Sequence, residues 1–266
     1  MRVAAVDIGN TRAKFGIFTV SGSGRATALR IDASVLSETP DLSHAFLQWW
    51  HDCEGPVAEC VMVAGSDPDL RDDLTARWPL PTCPPLIISS YQQIPVRPDV
   101  DFPDRVGIDR LLNVFAAVGF RRSVCPVIVV DSGTATTVDL MTSDGIFRGG
   151  SILPGLRLSA RAMHDYTARL PLLNVDESRT DLPALPGRNT ESAMLAGLFL
   201  GQLGAVREIA TRLQTAAMEQ FFQTQAVELL VTGGGGRQLA DHLPNATFVD
   251  SLALHGLAAL AVQAGK

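Results

Sequence analysis

The chain is poor in the features that would place it among several functional classes. Cysteine is scarce: Cys53, Cys60, Cys83 and Cys125 are all there is among 266 residues. None forms a Cys-x-x-Cys pair and no histidine stands at zinc-finger spacing, so neither a zinc site nor a disulfide framework is expected. The four read as free, buried thiols in a reducing compartment. Basic runs are missing, and 22 Lys and Arg against 28 Asp and Glu leave a net charge of −6. That balance argues against nonspecific binding to nucleic acid or to an anionic membrane. It leaves ATP open, because a nest of backbone N–H groups with a metal ion holds phosphate on an acidic protein. Tyrosine is reduced to Tyr91 and Tyr166. The opening MRVAAVDIGN reaches a charged strand end too soon for a signal peptide, and no apolar run is expected to reach membrane-spanning length. A cytoplasmic protein is the expectation. What remains is 46% hydrophobic and 19% charged, in a length that buries one large core or two medium ones.

The stretch 127–140, VIVVDSGTATTVDL, organises the rest. Four β-branched apolar residues predict a strand buried on both faces. It stops at Asp131, a carboxylate that needs a cation or a ring of donors beside it. Gly133 then permits a turn, the hydroxyls of Ser132, Thr134, Thr136 and Thr137 follow, and the chain returns through Val138. This is a plausible cradle for phosphate and cation, and equally an ordinary strand–turn–strand with a capping acid. The N-terminus repeats the frame: Val3, Val6, Asp7 and Gly9 match Val127, Val130, Asp131 and Gly133. One such hairpin in each half of the chain predicts two like-folded lobes facing a cleft.

Between the two copies strands and helices alternate, which predicts an α/β layer architecture. Helical spacing covers 42–50 and 69–78, and buried strands cover 60–64 and 86–88. A Pro-rich exposed loop over 94–105 delivers the chain to Val106-Gly107-Ile108-Asp109-Arg110 and a helix. Asp109 at that helix start is a favourable first-turn acid, and the same carboxylate can accept a proton. Residues 121–126 read as the lobe boundary, dividing the chain into 1–122 and 123–266. In the second lobe a turn at Ser143-Asp144-Gly145 and a tight glycine loop over 147–156 are expected. A helix over 158–166 and a long irregular segment over 167–188 come next. Asn189 or Thr190 then caps a long helix. A strand over 228–232 runs into Gly233-Gly234-Gly235-Gly236, an arrangement suited to close approach of a nucleotide or to a flexible turn. A strand over 248–252 and an apolar helix over 254–264 finish the second lobe.

Three glycine-bearing strand ends thus stand in order, at Asp7-Ile8-Gly9-Asn10-Thr11, Asp131-Ser132-Gly133-Thr134 and Thr232-Gly233-Gly234-Gly235. Their order resembles the phosphate and adenosine motifs of the actin-like ATPase superfamily. More narrowly, DIGNTRAKFG, VGIDR, DSGTATT, GGSILPGLRLSARAMHDYTARLP, NTESAMLAG and TGGGG together resemble the type III pantothenate kinases over almost the whole length. The resemblance implies two actin-like (ribonuclease H-like) lobes, each a mixed sheet flanked by helices, with a nucleotide cleft between them. It implies phosphorylation of pantothenate by ATP, the first step of coenzyme A synthesis. By similarity Asp7, Ile8, Gly9, Asn10, Thr11, Arg12, Ala13, Lys14 and Thr134 bind ATP, with Asp7 near its magnesium. Asp131 holds a monovalent cation, potassium or ammonium. Gly107, Ile108, Asp109, Arg110 and Thr190 bind pantothenate, and Asp109 is the general base. Family members are homodimers with pantothenate enclosed near the subunit interface.

One position departs from the family pattern. Where the family reads Tyr-x-Asn-Pro ahead of the catalytic acid, this chain has Val100-Asp101-Phe102-Pro103, so the tyrosine that encloses pantothenate is a valine. That leaves room for a kinase acting on another small alcohol. A regulatory protein that binds ATP without turnover is disfavoured by the retained Asp7, Asp109 and Asp131.

Overall fold

The computed structural model describes residues 1–22, 24–39, 41–53, 58–175 and 181–264. In chain order the early elements are β1 (Arg2–Ile8), β2 (Arg12–Val20), β3 (Ala26–Val35), α1 (Leu42–His51), β4 (Cys60–Gly65), α2 (Pro68–Ala76), β5 (Pro85–Ile88), the two-residue β6 (Arg97–Pro98) and α3 (Ile108–Ala117). They are followed by β7 (Val127–Ser132), β8 (Ala135–Met141), β9 (Ile146–Pro154), α4 (Leu156–Asp165), α5 (Thr190–Glu219), β10 (Glu228–Thr232), α6 (Gly236–Ala240), β11 (Ala246–Phe248) and α7 (Leu252–Ala264). Two compact units result: Met1–Phe120 with Ser251–Lys266, and Arg121–Asp250.

The first unit carries a mixed sheet in the order β3-β2-β1-β4-β5. Strand β1 is antiparallel to β2 and parallel to β4, so it is central and its Val-Ala-Ala-Val run is buried throughout. On one face Phe15, Phe46, Trp49, Val61, Val63 and Leu74 form the core. Phe46 and Trp78 stack at 4.8 Å between centroids, and the Trp49 indole N–H donates to Asp32 Oδ2 at 2.8 Å. The paired tryptophans 49 and 50 are therefore packing residues. On the other side α7 lies against β1 and α3, with Leu252, Leu254, Leu257 and Ala258 buried.

This corrects the expected division at 122/123, which gave 251–266 to the second lobe. Helix α7 is apolar on nearly every side, as a helix enclosed by other elements must be. Contact with α3 is close enough that a Cβ on Gly256 would come within 2.5 Å of the Leu112 carbonyl oxygen.

In the second unit the strands run β11-β10-β7-β8-β9, with β7 parallel to β10 and antiparallel to β8. Ile128 faces Leu140 and Val130 faces Val138 across the β7–β8 pair. All four pack against Phe199, Leu203, Val206 and Ala210 of α5. Two further expectations are corrected here. The segment 147–156 is mainly strand β9, and its glycines serve the sheet: Gly149 takes φ +81° at a bulge between β8 and β9. A Cβ on Gly150 would fall 2.0 Å from the Val138 carbonyl oxygen. The 30-residue α5 is also long and apolar enough, by length and composition, to cross a membrane, contrary to the expectation that no segment is. Small and polar residues interrupt its apolar stripe, and the stripe packs on the sheet. The final strand is shorter and earlier than expected, ending at Phe248.

Candidate active site

Apart from Thr190, the chemistry-bearing residues sit at three strand or helix ends, two in the first unit and one in the second. At the end of β1, Gly9 N–H donates to Arg12 O at 2.9 Å and turns the chain directly into β2. Register pairs Asp7 with Lys14 and Ile8 with Ala13. Asp7 is 9% exposed, whereas Asn10 and Thr11 are exposed at the tip. Ile8 and Ala13 are completely buried, so only their backbones can meet a ligand. Strand β4 closes the side of the tip: Ser66 N–H donates to Ile8 O at 2.9 Å, and a Cβ on Gly65 would lie 2.9 Å from that oxygen. The expected residues 7–14 thus share one hairpin tip. Gly65 and Ser66, which buttress it, were visible in the sequence only as the end of a strand.

Helix α3 supplies the second end. Gly107 is its N-cap and Asp109 stands in its first turn, half-buried beside Arg110. Asp109 Oδ1 accepts the Arg110 backbone N–H at 2.9 Å. A Cβ at Gly107 would sit 2.4 Å from Asp109 Oδ1, so the glycine is required for the carboxylate to take this position. In the preceding loop Phe102 is 57% exposed and the Arg105 guanidinium lies 4.6 Å from its ring centroid. Val100 is half-buried.

The third end is the β7–β8 turn. Gly133 N–H donates to Ala135 O, Gly155 N–H to Thr134 O and Gly235 N–H to Ser132 O, each at 3.0 Å. The first bond closes the turn itself, and the other two tie distant segments to it. Backbone approach is close: a Cβ on Gly155 would be 2.2 Å from Gly133 O, and one on Gly233 2.4 Å from Ser132 O and 2.5 Å from Asp131 Oδ1. Gly233 also has φ +91°, a conformation that favours glycine. Asp131 is half-buried beside Gly133 and Gly233, and Thr134 is exposed. In the sequence Gly155 reads only as part of the glycine loop over 147–156. Thr190, the remaining expected residue, is the first residue of α5 and is exposed. Asn189 Oδ1 caps that helix by accepting Ser192 N–H at 2.8 Å.

Among the described residues no three His, Cys, Asp or Glu side chains gather into a ready metal cage. Magnesium does not require one, since it is usually bound by one or two carboxylates together with substrate phosphates and water. Asp7, a largely buried carboxylate beside an exposed turn, fits that role. The Asp131 carboxylate and the Ser132 carbonyl border the same face of Gly233 and offer the oxygen donors that a hard cation takes.

The family model of the type III pantothenate kinases matches residues 3–212, a span that includes all three ends. The chain belongs to the type III pantothenate kinase family. A type III pantothenate kinase of Chlorobaculum parvum is 32% identical over 94% of this chain and 90% of its own length. Another, of Dinoroseobacter shibae, is 32% identical over 95% of each. Among solved structures, a Campylobacter jejuni protein assigned to the Baf family of transcriptional activators aligns over 98% of both chains with a TM-score of 0.61 and 18% identity. A Sinorhizobium meliloti protein assigned as a 2-dehydro-3-deoxygalactonokinase aligns over 98% of this chain and 99% of its own, with a TM-score of 0.54 and 12% identity. At those identities the structural likeness speaks for the fold, which is that of the actin-like kinases.

Proposed function

We propose that this member of the type III pantothenate kinase family phosphorylates pantothenate with ATP, the first step of coenzyme A biosynthesis, using Asp109 as general base. The observation that carries the reading is the family match, because it runs unbroken through the β1–β2 tip, the start of α3 and the β7–β8 turn. Phosphoryl transfer asks a protein for placement and charge neutralisation more than for covalent participation. In this reading the backbone N–H groups and hydroxyls of residues 7–14 and Thr134 orient the ATP phosphates. Gly107, Ile108, Arg110 and Thr190 hold pantothenate, with the Arg110 guanidinium as a forked partner for its carboxylate. Asp109 takes the proton of the primary hydroxyl as that oxygen attacks the γ-phosphorus. The bond from γ-phosphorus to the β–γ bridging oxygen breaks, and ADP leaves. Asp7, together with the ATP phosphates, would hold magnesium, which would supply charge neutralisation at the transferring group. Asp131 is assigned to potassium or ammonium.

We further assign a homodimer and a cytoplasmic location, on the strength of the family resemblance. The experiment is a coupled ADP-release assay with pantothenate, with and without potassium or ammonium. Turnover that needs both pantothenate and the monovalent cation supports the assignment. Binding of ATP with no turnover on any alcohol would reject the enzyme reading. A second reading rests on one residue: Val100 replaces the tyrosine expected against pantothenate, which favours a wider choice of alcohol. Turnover on another small alcohol in preference to pantothenate would establish it.

A further inference from the structure

The apolar ladder between α5 and the β7–β8 pair ends in a polar contact at the turn. Cross-strand pairs Ile128–Leu140 and Val130–Val138 face α5, and the next pair in that register is Ser132–Thr136. Ser132 is 3% exposed and Thr136 fully buried. Helix α5 meets them in kind: between Phe199, Leu203 and Val206 of its core stripe it places Gln202, 8% exposed. The Gln202 carboxamide Nε2 donates to Thr136 Oγ1 at 2.5 Å, and its Oε1 is buried without a partner. A carboxamide in an apolar helix–sheet interface costs stability unless it is hydrogen-bonded. Here one of its two ends goes unmet, and a leucine or methionine would pack the interface as well. Stability alone does not account for glutamine at this place.

The bond joins residues 66 apart and reaches the turn that carries Asp131 and Thr134. Backbone N–H groups of Gly155 and Gly235 also bond to that turn. Gln202 supplies a side-chain tie from a helix whose first residue is Thr190. At ~1.5 Å per residue the two lie about 18 Å apart on one rigid rod.

We propose that Gln202 is a positioning residue. It fixes the β7–β8 turn from behind so that Asp131 and Thr134 meet the monovalent cation and ATP, and it ties that turn to the helix bearing Thr190. The proposal rests on the assignment of the turn to cation and nucleotide. Gln202 touches neither, so its loss moves the concentrations at which they act rather than the chemical step.

The test compares Gln202→Met and Thr136→Val, each removing one side of the bond at nearly constant volume, the double variant, and Asp131→Asn. Each is assayed for ADP formation against potassium, ATP and pantothenate. Gln202→Met leaves the Thr136 hydroxyl buried and unpaired, and the half-activating potassium concentration and the ATP KM are expected to rise about tenfold. The pantothenate KM and the saturated kcat stay within about twofold, a split that general loosening of the fold does not produce. The double variant is expected to fall nearer the wild type than the sum of the singles, since neither partner is then stranded. Where Gln202→Met does not fold, Thr136→Val carries the same prediction. If Asp131→Asn shifts potassium activation while neither Gln202→Met nor Thr136→Val does, the Gln202 role is overturned and the assignment of the turn survives. If Asp131→Asn leaves potassium activation unchanged, the assignment of the turn falls and the Gln202 role with it.

Discussion

At the scale of single residues, the proposed reaction rests on one carboxylate whose place is set by its neighbours. Gly107 leaves the volume that Asp109 Oδ1 occupies, and the first turn of α3 fixes the backbone beneath it. Asp109→Asn preserves that shape and removes the proposed base. Turnover is expected to fall about 10²–10⁴-fold in a steady-state assay, with little change in pantothenate KM. Full turnover in the variant would remove Asp109 from the mechanism. Val100 makes the opposite prediction. If it stands where a tyrosine hydroxyl contacts pantothenate, Val100→Tyr restores one hydrogen bond and lowers the pantothenate KM by roughly 2–10-fold, the worth of a net ~0.5–1.5 kcal/mol. An unchanged KM would show that the loop meets its substrate differently.

At the scale of elements, the strand tips were legible and their surroundings were not. An apolar run, an acid and a glycine are local signals, and both β1 and β7 carry them in the same frame. Gly155 and Gly233 belong to the turn at Asp131 through contacts with residues 20 or more positions away, and no local pattern announces such a partner. Gln202 was hidden for a related reason: a glutamine in a mostly apolar helix reads as a surface residue until the sheet behind it is known. The segment 147–156 was misread because glycines signal turns, yet here they serve a bulge and a close strand contact. Helix α5 also makes its own prediction. Asn189 and Ser192 form a reciprocal cap on either side of Thr190. Asn189→Ala is expected to cost about 1 kcal/mol in denaturant unfolding. Fraying of that first turn is expected to raise the pantothenate KM while the ATP KM holds. Equal effects on both would separate Thr190 from the acceptor site.

At the scale of the molecule, the first unit is built from both ends of the sequence. Helix α7 fills one side of β1, and its Gly256 meets the α3 backbone at Leu112. Gly256→Val forces a branched side chain against a carbonyl, an overpacking expected to cost ~1–3 kcal/mol and to lower Tm measurably. A wild-type Tm would mean that α7 docks more loosely than drawn. The four thiols were expected to be buried, but only Cys125 is, while Cys53, Cys60 and Cys83 are half-buried. Desolvation pushes all four up from the ordinary cysteine range. Thiolate is therefore scarce at neutral pH and appears only as the pH rises toward those raised values. Native protein is expected to react slowly with iodoacetamide at pH 7, and all four cysteines to label after unfolding. Prompt labelling of Cys125, which is 2% exposed, would contradict the packing around it.

The return of α7 to β1 has a bearing on how the chain is made. Residues 121–250 are contiguous, so that body can close as soon as it clears the ribosome. The body begun by β1 emerges earlier yet stays unfinished until α7 has been synthesised, with one face of that strand awaiting cover until then. In this protein the half started first is completed last.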